Sequence, residues 1–157
     1  MAFHDDLLAQ ALQLAHSDPP TQASLRRAVS SAYYAVFHLL IAEAVLNWSN
    51  VATRTVLARA FDHGIMRAAS NRALNNSLFP ATGVDPAILN DLRFVAQTFV
   101  QLQEHRHFAD YNLTKDLEVI DALNQVGSAE RVFAVWPSIE SAQITKDYLV
   151  TLVVRPR

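Results

Sequence analysis

Residues Leu25–Leu46 read LRRAVSSAYYAVFHLLIAEAVL, without Gly or Pro, and after Ala28 the stretch is apolar almost all the way round. A helix apolar on every face is normally buried. Yet Arg27, Ser31, Tyr34 and His38 interrupt it, and at roughly 100° per residue those four fall on one side. A central helix with such a polar stripe is either a plain core element or one wall of a site. The rest of the chain decides between them.

The chain has 157 residues, enough for one domain with a real core, 1–157, whose tail 153–157 (apolar, then basic) the pattern leaves undetermined. Hydrophobic residues make up 51% and charged residues 18%, which argues against disorder. A net charge of -2 marks no global nucleic-acid or membrane binder, although a local basic patch is compatible with it. There is no cysteine, which excludes disulfides, thiol nucleophiles and Cys-based zinc sites and agrees with a reducing, cytoplasmic setting. The acidic start MAFHDDLLAQ lacks the pattern of a signal peptide, and the longest apolar run falls short of a membrane span. Asn47, Asn75 and Asn112 stand in N-x-S/T triplets, read as chance without a secretion signal.

Three Gly and six Pro cluster between long periodic segments, an all-α pattern of about six helices. Phe3, Leu7, Leu8, Ala11 and Ala15 give the first an apolar face, and Ser17–Pro20 stops it. Thr21 suits the N-cap of the central helix, which reaches about Asn47. A third helix is expected from Val51 to Asn75, with Leu57, Phe61, Ile65 and Ala68 inward and Arg59, His63 and Arg67 as a basic stripe. Asn75 to Pro86 is the longest connection. The fourth helix should run from Pro86 to near Tyr111, the fifth from a Thr114 cap with Leu117, Ile120, Leu123 and Val126 inward. Trp136-Pro137-Ser138 should end the fifth and start a sixth, to about Leu152.

The core face of the fourth helix is Leu89, Leu92, Ala96, Phe99 and Val100; carried onward it meets Gln103, Arg106, His107 and Asp110. An apolar stripe that turns polar in its last two turns is the main anomaly. Arg106 and Asp110, one turn apart, suit a phosphate clamp with its orienting carboxylate. The plainer reading is an i,i+4 ion pair closing the helix end. Tyr34 and His38 are also one turn apart. Histidine is the usual general acid or base near neutral pH, though a lone one on an apolar helix is more often a core residue. Arg59, His63 and Arg67 suit a phosphate backbone or a solvated face. His105 and His107, two residues apart, point to different sides, so a shared metal is not expected. There is no H-E-x-x-H, P-loop, Gly-x-Gly-x-x-Gly or Gly-x-Ser-x-Gly.

Three fragments, RAVSSAYYAVFH (Arg27–His38), His63-Gly64 and RHFADY (Arg106–Tyr111), resemble in that order the HEPN superfamily of small all-α domains. The likeness runs roughly from Ala23 to Leu123. It implies an up-down helical bundle, usually a homodimer with a cleft at or near the dimer interface. Many members are metal-independent endoribonucleases, often toxins paired with an antitoxin, in which Arg stabilises the scissile phosphate and His acts as acid or base. On this chain Arg106 takes the arginine position and His107 the polar position after it, while Tyr111 stands where the histidine is expected. The resemblance therefore implies a catalytic set of Arg106, Tyr111 and, if the helices meet there, His38. Tyr34, Arg27, His63, His107 and Asp110 join Arg106 in phosphate or nucleotide binding, with no cofactor. An unperturbed tyrosine is a poor base at pH 7. Three readings stay open: an RNA- or nucleotide-engaging enzyme, a non-catalytic binding module of a toxin–antitoxin or nucleotidyltransferase system, and a purely structural dimer.

Overall fold

A computed structural model describes residues 1–75 and 82–155. Among the described residues seven α-helices follow in order: α1 (Phe3–Ala15), α2 (Gln22–Leu46), α3 (Arg54–Ala58), α4 (His63–Asn75), α5 (Pro86–Tyr111), α6 (Val119–Ile139) and α7 (Gln143–Thr151), with a 3-10 turn (Val51–Thr53) before α3. Among the described residues there is no strand, so the all-α expectation holds. Most of the expected connection between Asn75 and Pro86, and the last two residues of the tail, lie outside the described residues.

The residues group into two compact units: Met1–His38 with Gln101–Ala134, and Leu39–Val100 with Val135–Arg157. The first unit carries α1, the start of α2, the end of α5 and most of α6. Ala2 N–H donates to the Asp5 carboxylate (3.1 Å) at the start of α1. Thr21 and Ser24 cap α2 reciprocally: Ser24 N–H donates to Thr21 Oγ1 and Thr21 N–H to Ser24 Oγ, both at 3.0 Å. Along α2, Leu25, Ala28, Val29, Ala32, Tyr33 and Val36 are buried. Ser31 Oγ donates to Gln10 Oε1 of α1 (3.1 Å), so this member of the polar stripe serves helix packing. By length and composition α2 is long enough to cross a bilayer, contrary to the sequence expectation, but 56% of its most apolar window is buried within the protein, as in a core helix.

The fifth expected helix starts later than Thr114. Asn112 Oδ1 accepts both the N–H (3.1 Å) and the hydroxyl (2.7 Å) of Thr114, an Asx-type turn. The Gln22 side chain then grips the backbone of Leu117 twice, giving to its carbonyl (2.8 Å) and accepting from its N–H (3.0 Å). These bonds hold the chain open until Val119. The buried face of α6 is Ala122, Val126, Ala129 and Val132; the expected inward residue Ile120 is exposed.

In the second unit the expected third helix is broken. Arg59 caps the end of α3, and Asp62 Oδ1 accepts from the Ile65 N–H (3.0 Å), starting α4 at His63. The inward face resets to Met66, Ala69, Ser70 and Ala73, leaving Ala68 exposed. Because the two helices are separate, Arg59, His63 and Arg67 do not form one helical stripe. α6 runs through Pro137 to Ile139. The proline costs the helix one backbone bond close to its end, where Trp136 and Ile139 are buried and the Ser138 hydroxyl donates to Val135 O (2.6 Å).

Candidate functional site

The last two turns of α5 lie against α2 in the first unit because Arg26 ties them down. Its Nη1 donates to Ala109 O (2.8 Å) and Asn112 O (2.7 Å), and its Nη2 to Lys115 O (2.7 Å). Helix ends leave carbonyls without partners, and a cation there also meets the negative end of the helix dipole. Arg26 thus closes α5 and fixes the turn that presents Arg106.

Arg106 extends over two neighbouring rings of α2. Its Cζ lies 5.2 Å from the Tyr33 ring centroid and 5.7 Å from that of Tyr34, both within cation–π range. Asp110 Oδ2 stands 3.6 Å from Arg106 Nη1, an ion pair too long to be a hydrogen bond. The two side chains keep only 13% and 25% of their surface accessible. Arg106 Nε is buried and, among the described residues, has no hydrogen-bond partner. A buried charged donor left in that state costs at least ~1–3 kcal/mol. An ion pair built for stability would seat the guanidinium in a saturating fork; this one is oriented without being saturated.

Tyr34 also reaches His38. The two rings stack with centroids 6.3 Å apart and planes 29° apart. His38 is half-buried among three aromatic neighbours, with Phe37 edge-on at 5.1 Å and Phe3 of α1 at 4.8 Å. Tyr34 is therefore a neighbour common to Arg106 and His38. Contacts thus run from Asp110 through Arg106 and Tyr34 to His38.

The other candidates lie elsewhere. Tyr111 is 66% exposed and its ring tilts against His107 at 4.9 Å. Both line a shallow depression of about 500 Å³ with Glu104, Phe108, Asn112, Leu113 and Thr114, which Arg106 does not line. Arg27 is exposed, and Arg26 makes the contacts on this side of α2. His63 opens α4 in the second unit. Among the described residues no group of His, Asp and Glu side chains is arranged to hold a metal ion.

Sequence reasoning missed Tyr33, Arg26, Phe37 and Phe3. Tyr33 is fully buried and is the nearest ring to Arg106. A signal for it existed: two adjacent tyrosines on α2 offer a flat guanidinium two neighbouring plates. No family model, curated protein or solved structure matches the chain.

Proposed function

We propose that the chain is a HEPN-like helical domain whose Arg106 cluster engages a phosphate of RNA or of a nucleotide. The observation that carries this reading is the state of Arg106: seated on two tyrosine rings, oriented by Asp110 at 3.6 Å, and with its Nε unsatisfied. With the Nε enclosed, the donor capacity that a planar guanidinium held in this way offers a tetrahedral anion lies on its outer Nη atoms. In the catalytic form of the proposal, Arg106 steadies the charge growing on the scissile phosphate. His38, which packs on the same Tyr34 ring, exchanges the proton of the attacking 2′-hydroxyl or of the leaving oxygen. A homodimer and an antitoxin or nucleotidyltransferase partner belong to this proposal through the resemblance alone.

A second reading, binding without cleavage, is favoured by Tyr111. The residue at the family's histidine position is exposed and packs on His107 rather than in the Arg106 cluster. The two forms separate in one experiment. Wild type, Arg106→Ala, Arg106→Lys and His38→Ala are each incubated with total RNA and titrated calorimetrically with nucleotides. Arg106→Ala should weaken binding at least ~10-fold, the equivalent of one charged hydrogen bond, and Arg106→Lys should recover part of it. Loss of cleavage with retained binding in His38→Ala assigns the enzyme form; binding with no cleavage by wild type assigns the module. Equal behaviour of wild type and Arg106→Ala would remove the proposed site.

A further inference from the structure

The second unit carries an apolar cleft of about 130 Å³, walled by Trp48, Leu57, Phe61, Leu149 and Val153, with Lys146 at its edge. Its wall is fixed. The Trp48 indole N–H donates to Thr53 Oγ1 (2.8 Å), and the Arg54 guanidinium donates to Trp48 O (3.1 Å) and Leu46 O (2.9 Å) at the end of α2. Trp48 is nevertheless 47% exposed, and Leu46, Val51, Val56, Val150 and Val154 of the same segments are exposed too. An exposed apolar patch around a rigid tryptophan has the make-up of a protein interface. The segments that form it, 44–61 and 146–155, contain Arg54, Arg59, Lys146 and Arg155 against Asp147 alone.

The first unit carries the opposite pattern on residues 113–121, LTKDLEVID. Leu113 is 76% exposed, and Val119 and Ile120, later in the same stretch, are exposed too. Asp116, Glu118 and Asp121, all exposed, outnumber the single Lys115. This stretch is apolar with an acidic rim, and the cleft is apolar with a basic rim.

We infer that the cleft of one copy takes residues 113–121 of a second copy. Leu113 and Ile120 supply the apolar contact, and Asp116 and Glu118 face Arg59 and Lys146. A cavity near 150 Å³ accommodates about one aromatic ring, so a cleft of this size holds one large side chain of the incoming segment. Each copy carries both halves, so the contact either closes reciprocally or continues from copy to copy.

Light scattering over a concentration series tests this. Wild type should rise above the 17.5 kDa of one chain. Arg59→Glu/Lys146→Glu and, separately, Asp116→Lys/Glu118→Lys should each fall back to it, since both sets of substitutions lie on exposed or rim positions. Mixing the two charge-reversed proteins should restore the higher mass. The chain has no cysteine, so a second measurement is clean: Ile120→Cys protein mixed with Val56→Cys protein should give an oxidised heterodimer in preference to either homodimer. A wild type that stays at one chain, an association unaffected by reversing either rim, or a mixture with no excess heterodimer overturns the inference; in the first case the cleft serves a different partner.

Discussion

Two arginines of the first unit do opposite work. Arg26 is bonded on both its Nη atoms: three carbonyls at 2.7–2.8 Å close the end of α5. Arg26→Ala should therefore destabilise the fold by about 2 kcal/mol, since charged hydrogen bonds contribute ~1.5–3 kcal/mol each and water replaces part of them at the half-exposed site. That corresponds to a fall in melting temperature of about 4–8 °C for a chain of this size, measurable by circular dichroism. Arg106 has an orphaned Nε instead. Arg106→Met keeps the stem, loses a cation–π contact of ~0.5–2 kcal/mol, and relieves a buried donor costing ~1–3 kcal/mol. Its melting temperature should stay level or rise while phosphate binding falls. A clear drop would instead assign Arg106 to the structural-dimer reading. Arg106 and Asp110 were legible in the sequence because an apolar stripe that turns polar is a local signal. Arg26 was not: its three acceptors lie 83 to 89 residues away, and periodicity pointed to its neighbour Arg27.

At the scale of elements, the long helices α2 and α5 were readable from composition because their faces never change register. The third expected helix was not, because a single side chain, Asp62, caps a new start and shifts the inward face by one position. Pro137 misled in the other direction, since a proline near a helix end removes only one bond and buried neighbours hold the last turn. The α4–α7 contact in the second unit gives a test of its own. The Tyr148 hydroxyl is buried and shares a 2.7 Å hydrogen bond with Ser70, whose hydroxyl also donates to Met66 O. Burial pushes the Tyr148 phenol far above its ordinary value, and the Ser70 bond draws it back slightly. The folded state therefore keeps this proton where the unfolded chain, titrating near ~10, releases it. Its contribution is complete below about pH 10 and is lost as pH rises beyond that. Tyr148→Phe should cost about 1 kcal/mol at pH 7, and its stability should fall less steeply than wild type's in melts between about pH 9.5 and 11. Parallel curves for the two proteins would contradict the assignment.

Over the whole molecule, the net charge of -2 hides a division. The unit that holds the Arg106 cluster has five Lys and Arg against nine Asp and Glu, whereas the other has eight against six. Composition alone averages these, because the division depends on which distant segments share a unit. An acidic surround does not draw in a long polyanion, so the proposed phosphate capture by Arg106 requires a short-range contact with one phosphate. Counterion release makes this measurable. For a single-stranded ligand the logarithm of the binding constant falls against the logarithm of salt with a slope of about −0.7 per neutralised phosphate. Binding of a short RNA at Arg106 alone should therefore show a slope no steeper than about −1, and a mononucleotide, which carries no condensed counterions, a shallower one. A slope of about −3 or steeper with RNA, against a shallow one with the nucleotide, would mean that several further cations track the backbone. The Arg54, Arg59, Arg67 and Arg72 segment of the second unit would then be the place to look. Reversing Arg59 and Arg72 to Glu should flatten that steep slope, and should leave a slope near −1 unchanged if Arg106 is the only phosphate contact.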